Sequence, residues 1–140
     1  MESKPFFAET QQLFAHVRDH NFEQLAALCD DDFGIVDINA EGGTLVIRNR
    51  AEWENWFRSL FGQLDAMQAR TWSEITGYEA VQTAEMGYSV VDFDQLLVAG
   101  GKRMRFACLS TIIWKRVGES WKEARYHSSL LGVREEDEPA

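Results

Sequence analysis

Gly118-Glu119-Ser120-Trp121-Lys122-Glu123-Ala124-Arg125-Tyr126-His127-Ser128-Ser129 is the stretch that decides the fold. Gly118-Glu119 is turn chemistry, and the residues behind it alternate as a strand does. The run before it, 103–116, has the same character. The two predict a long antiparallel hairpin. With Gly118-Glu119 as a two-residue loop, Arg116 faces Trp121, Trp114 faces Glu123, Ile112 faces Arg125 and Ser110 faces His127. That register places titratable groups on one face of an apolar hairpin, where buried polar atoms need partners or a ligand. Leu109, Thr111, Ile113, Ala124 and Tyr126 fall on the other face. A slip of one residue exchanges the two.

Further strands are predicted at 69–76 and 83–94, with Gly77 and the Gly100-Gly101 pair as punctuation. Helices come first in the chain. Phe6, Phe7, Thr10, Leu13, Phe14 and Val17 recur at helical spacing behind Ser3 and Pro5. Asn21 and Gln24 form a capping-box pattern for a second helix, which stops at Asp30-Asp31-Asp32. A strand at 33–38, a glycine turn at 39–43 and a return strand at 44–48 follow. Asn49 and Glu52 cap a third helix whose stripe is Trp53, Trp56, Phe57, Leu60, Phe61 and Leu64. The pattern is α+β: a strongly curved, mostly antiparallel mixed sheet wrapped around three helices from the N-terminal half, with a pocket.

The 140 residues suit one domain, at 1–134, followed by an acidic tail at 135–140. The net charge is −9. Four of those acids lie in the tail, so the remainder carries −5. An acidic surface repels phosphate backbones and argues against nucleic-acid binding. Cys29 and Cys108 read as small buried hydrophobes rather than a disulfide framework. No run reaches the roughly 18 apolar residues of a membrane span, and no leader pattern opens the chain, so a cytoplasmic protein is expected. His16 and His20 have i, i+4 spacing without a third ligand motif, so no metal is expected. No cofactor motif is present either. On strand 103–116 neither face reads as a solvent face. A second copy of the chain is the simplest cover for the side that the helices leave, which predicts a homodimer through the sheet.

Taken in order, the capped helix, Asp31-Asp32-Phe33, the glycine turn, the aromatic third helix and the four long strands resemble one superfamily. It is the nuclear-transport-factor-2-like, or cystatin-like cone, group. Within it the chain is similar to SnoaL-like domains and their ketosteroid-isomerase-like relatives. The ending from Trp121 to Ser129 also resembles the last strand of the calcium/calmodulin-dependent kinase II association domain. The resemblance spans 6–133. It implies a cone with a cavity, commonly dimeric, that hosts isomerases, dehydratases, cyclases and pure binding modules alike.

Carried over by position, Asp37 matches the isomerase's proton-shuttling aspartate. Leu13 stands at the tyrosine position, and Ser110 or Thr111 at that of the second acid. Both strong oxyanion donors are therefore replaced. Val90 and Ile112 occupy the positions of the kinase domain's arginines. The expected catalytic pair is Asp37 and His127. The expected pocket lining is Ser110, Arg125, Ile112, Val90, Tyr88, Trp72 and Trp56. Two functions stay open. One is a binding or assembly domain for a small, largely apolar organic molecule. The other is a cofactor-independent isomerase or lyase that moves a proton through Asp37 or His127. A third reading, an adaptor that docks a different protein on its exposed sheet, follows if the chain is monomeric.

Overall fold

The computed structural model describes residues 4–38 and 43–137. In chain order the elements are α1 (Phe7–Arg18), α2 (Phe22–Ala27), β1 (Cys29–Ile38), β2 (Thr44–Ile47), α3 (Arg50–Ala66), β3 (Arg70–Gln82), β4 (Met86–Ala99), β5 (Lys102–Val117) and β6 (Ser120–Asp137). The α+β expectation holds. One six-stranded sheet runs β2-β1-β6-β5-β4-β3. Its β1–β6 pair is parallel and the other pairs are antiparallel. The sheet does not close, so β2 and β3 are its edges. Among the described residues no helix is long and apolar enough to cross a membrane.

Helix α3 forms where the aromatic stripe predicts it. Asn49 Oδ1 accepts the Glu52 N–H at 3.0 Å, and Asn49 Nδ2 returns a bond to Glu52 Oε1 at 3.0 Å. Trp53 and Phe61 are buried on its inner side with Leu13, Leu25, Phe33 and Ile35. Phe33 meets Trp53 edge-on at 5.3 Å. A second cluster fills the other end of the sheet, where Phe6 stacks on Trp114 at 5.5 Å and meets Trp121 edge-on at 5.0 Å. Such ring pairs contribute about 0.5–1.5 kcal/mol each beyond their buried area. Phe14 and Tyr126 pack against both clusters and join them.

Several expectations are corrected. Asn21 makes no side-chain cap bond to α2. The acids at 30–32 do not lie outside the sheet, because β1 begins at Cys29. Helix α2 has already ended at Ala27, its last carbonyls held by cations. Arg50 Nη2 donates to Ala26 O at 2.8 Å and Lys122 Nζ to Ala27 O at 2.5 Å. Gly77 does not end β3. Ile75 pairs with Phe93 and Gly77 with Asp92, so Thr76 is one extra residue and the strand continues. The acidic run from 135 is not wholly a solvated tail. Strand β6 extends to Asp137, and Glu136 lies 3.1 to 3.2 Å from Arg103, Arg105 and Arg134. Ser3, residues 39–42 of the glycine turn and Glu138 onward lie outside the described residues.

Gly87 marks the tightest approach between N-terminal segment and sheet. It pairs with Trp114, and a Cβ there would sit 2.5 Å from the Phe6 ring and from Val81 O. Gly87→Ala must therefore displace Phe6 from Trp114. We expect it to lower unfolding stability by about 1–3 kcal/mol, read as an earlier urea midpoint at unchanged m-value.

Candidate functional site

The hairpin turn forms as expected. Val117 pairs with Ser120, Gly118 has φ of 64°, and Trp114 pairs with Glu123. Beyond that point the register shifts. Ile113 pairs with Arg125 and Ile112 with Tyr126, leaving Ala124 as one extra residue. The side chains from Arg125 to Leu130 change face, until a second extra residue, Leu131, restores the register. Tyr126 and Ser128 turn inward beside Ile112 and Ser110. Arg125 and His127 turn outward beside Ile113 and Thr111. The expected pairings of Ile112 with Arg125 and of Ser110 with His127 are corrected accordingly.

On the inner face three hydroxyls meet. Ser110 Oγ lies 2.9 Å from the Tyr126 hydroxyl and 3.1 Å from Ser128 Oγ. Ser110 is fully buried and Ser128 nearly so. Ser128 also hydrogen-bonds Tyr126, so the three hydroxyls form one closed cluster. Asp37 alternates with Phe33 and Ile35 along β1 and shares their inward face. It is half-buried, opposite Leu45. Burial raises the Tyr126 phenol far above its ordinary value, and the charge of Asp37 adds to that. Burial likewise pushes the Cys108 thiol up to about 11, with Asp37 the next cause. Asp37 is thus electrostatically close to both. A half-buried carboxylate beside a hydroxyl cluster, in an apolar surround, can orient a polar group or accept a proton from carbon.

Other expected residues are dispersed. Ser110 and Ile112 are inner and buried. His127 is exposed on the outer face, paired with Thr111 and Val36. Arg125 donates to the carbonyls of Asp32 and Ala124 and lies 3.5 Å from the Asp32 carboxylate. Val90 and Tyr88 also face outward, across from Thr111 and Ile113. Trp56 packs edge-on against Phe57 at 4.7 Å, within the helical core. Trp72 lines a separate groove between α1 and β3, of about 1050 Å³, that Asp37 does not touch. Among the described residues no cluster of three His, Cys, Asp or Glu could hold a metal ion.

Glu123, opposite Trp114, is 3% exposed. Its Oε1 lies 4.0 Å from Cys29 Sγ and its Oε2 has no hydrogen-bond partner. Burial pushes its carboxyl up to about 8. A raised carboxyl favours the folded state while protonated. That contribution is complete below the unfolded value of about 4.3 and is lost as pH climbs towards about 8. Wild-type stability should therefore decline between about pH 5 and 8. Glu123→Gln should flatten that part of the curve, as denaturant melts at pH 5, 7 and 9 will show.

A family profile described as SnoaL-like domain matches residues 8–132. Solved structures share the fold at low identity. One, from Thiobacillus denitrificans, is assigned as a calcium/calmodulin-dependent protein kinase type II association domain. It is 22% identical, with 92% of this chain and 96% of that one covered and a TM-score of 0.65. A second, from Novosphingobium aromaticivorans, is assigned as a scytalone dehydratase, at 11% identity, 95% and 87% coverage and a TM-score of 0.75. A third is a type 2 hexachlorocyclohexane dehydrochlorinase, at 20% identity, 91% and 82% coverage and a TM-score of 0.67. A sequence search of curated proteins gave no match.

Proposed function

Because the chain belongs to the SnoaL-like domain family, we propose that it binds a small, largely apolar organic molecule against the inner face of its sheet. The observation that carries this reading is the buried Ser110–Tyr126–Ser128 cluster with the charge of Asp37 acting on it. Apolar walls select the body of the guest, and the hydroxyls select one polar substituent. Arg125 and His127, on the outer face, have no part in this site. A thermal-shift panel of small cyclic ketones and alcohols tests it. A ligand that raises the melting temperature of the wild type should lose about tenfold in affinity in Ser110→Ala. A panel without any stabilising compound counts against the reading.

A second reading is favoured by Asp37 itself. A carboxylate on the inner face can take a proton from carbon. Two of the structures described above are named a dehydratase and a dehydrochlorinase. In an elimination of that kind, Asp37 accepts the proton, the C–H electron pair becomes the new C=C bond, and the leaving group departs with its own bonding pair. A ketone found in the panel should then exchange its α-hydrogens for deuterium in heavy water. Asp37→Asn should abolish that exchange while binding persists. Equal exchange in the variant leaves binding without turnover as the function.

The same reading includes a homodimer formed through the outer face. Tyr88, Val90, Leu109 and Ile113 give that face apolar area, and Tyr88 is 42% exposed. Thr111 and His127 lie at its centre. Thr111→Arg places a like charge against its symmetry mate and should convert the dimer to a monomer in light scattering, at unchanged melting behaviour of the protomer. A wild type that scatters as a monomer rejects the dimer and favours an adaptor whose free sheet docks another protein.

A further inference from the structure

Glu123 is a buried acid that the hydroxyl cluster does not use. The groups around its carboxyl are already committed to other partners. Trp114, opposite on β5, donates its Nε1 to Ser89 Oγ at 3.0 Å. Lys122, next on β6, donates to Ala27 O. Arg50, on α3, donates to Ala26 O and Cys29 O and pairs with Glu54 and Asp31. Asp30, at the start of β1, lies 3.4 Å from Lys115, and Tyr126 bonds Ser110. Among the described residues only the Cys29 thiol, at 4.0 Å, approaches the carboxyl, and its Oε2 is unpartnered. Burial, with no cation to offset it, therefore sets the titration of Glu123.

The walls that keep water from it differ in strength. On the β5 side the ladder runs unbroken from Trp114 and Glu123 back to Val117 and Ser120. Trp114 is fully buried there and stacked on Phe6. On the other side stands the junction of α2 and β1. Cys29 pairs with Glu123, and the next pair is Gly34 with Arg125, so residues 30–33 face Ala124 alone. Glu123 N–H donates to Leu28 O at 2.7 Å, a backbone tie between the junction and this end of β6. Beyond it the acids are held by side chains: Asp30 by Lys115, Asp31 by Arg50 and Asp32 by Arg125, at 3.4 to 3.5 Å. Asp31 and Asp32 are exposed, and exposed ion pairs contribute little. Water therefore reaches Glu123 more readily through the junction than through the hairpin.

We propose that Glu123 is a pH-sensitive latch: as a neutral acid it seats residues 28–33 against β6, and as a carboxylate it releases them while strands β3 to β6 stay paired. This latch does not rest on the inner-face binding reading. Lys122 and Arg50 both bear on the Cys29 thiol beside Glu123, so its carboxylate competes for them with the carbonyls that end α2. Released, the carboxyl has its ordinary value of about 4.3; seated, burial pushes it up to about 8. The seated state holds the proton more tightly. Release therefore becomes about tenfold more favourable per pH unit between about 5 and 8 and levels off above.

Native-state hydrogen exchange of the full chain, read as protection factors from about pH 5 to 9, tests the latch. The Glu123 amide should lose protection about tenfold per pH unit up to about pH 8. It should do so without responding to urea below the unfolding transition, as a local opening does. Amides paired between β4 and β5 should stay better protected and should respond to urea, as global unfolding does. Glu123→Gln should keep the amide of residue 123 level across that pH range. Glu123→Leu has no titrating group and covers the case in which the first variant fails to fold. Level protection in the wild type, a slope that survives in either folded variant, or a Glu123 amide that follows the β4–β5 amides in both pH and urea overturns the proposal.

Discussion

One extra residue in β6 governs the chemistry of this sheet. Up to Glu123 the hairpin pairs as its two-residue turn dictates; at Ala124 the strand gains a residue that β5 does not match. Side-chain direction alternates with a period of two, so the slip reverses inside and outside for the following stretch. Without it, Arg125 and His127 would occupy the apolar interior, where an unpaired charge is costly. With it, Tyr126 and Ser128 go in, and their hydroxyls satisfy one another through Ser110. The bulge is held from the other side by β1. Glu123 N–H donates to Leu28 O at 2.7 Å, and the β1–β6 register resumes at Gly34 and Arg125. Gly34 sits close to the neighbouring strand there, and a Cβ would lie 3.1 Å from Ile47 O, tighter than usual contact.

Tyr126 links the bulge to the rest of the core. It packs against the helical cluster around Trp53 and against the sheet cluster around Trp114. The hydroxyl network therefore sits where the two apolar clusters meet, and its geometry depends on both. Phe14 makes the same connection from α1, against Phe93 at 4.8 Å. Helix α1 is thereby shared between the inner core and the groove beside β3. Its inward residues, Thr10 and Leu13, are buried, while Phe7 and Ala15 form a wall that solvent reaches.

The elements that could be read from the sequence are those set by local chemistry. The period of the α3 stripe, the Asn49–Glu52 box and the Gly118-Glu119 turn each act within a few residues, and each forms as read. What could not be read was set by distant partners. Ala124 has no property that marks a bulge, since a buried Ala suits a regular strand equally well. Thr76 hid the continuation of β3 for the same reason, and Gly77 next to it looked like an end. Asp30 to Asp32 looked like a helix stop because only the fold reveals Lys115 3.4 Å from Asp30. Glu136 looked like tail because three arginines from two strands converge on it only after β5 and β6 pair. For the candidate site, Ser110 and Asp37 were legible as inward positions. Tyr126 and Ser128 were not, because their face depends on the bulge.

The inner face has an electrostatic direction that follows from this arrangement. Glu123 lies near the hairpin end, its carboxyl pushed up to about 8 by burial. It adds no field to the interior while protonated. Tyr126 follows, its phenol held neutral chiefly by burial, then by Asp37, with Glu123 a smaller cause. Asp37 stands further along, near the end of β1. It is the charge that bears most on Tyr126. The inner face thus carries apolar walls and hydroxyls on one side and a carboxylate on the other. The extra residue at Ala124 decides which side chains of the following stretch of β6 are inside.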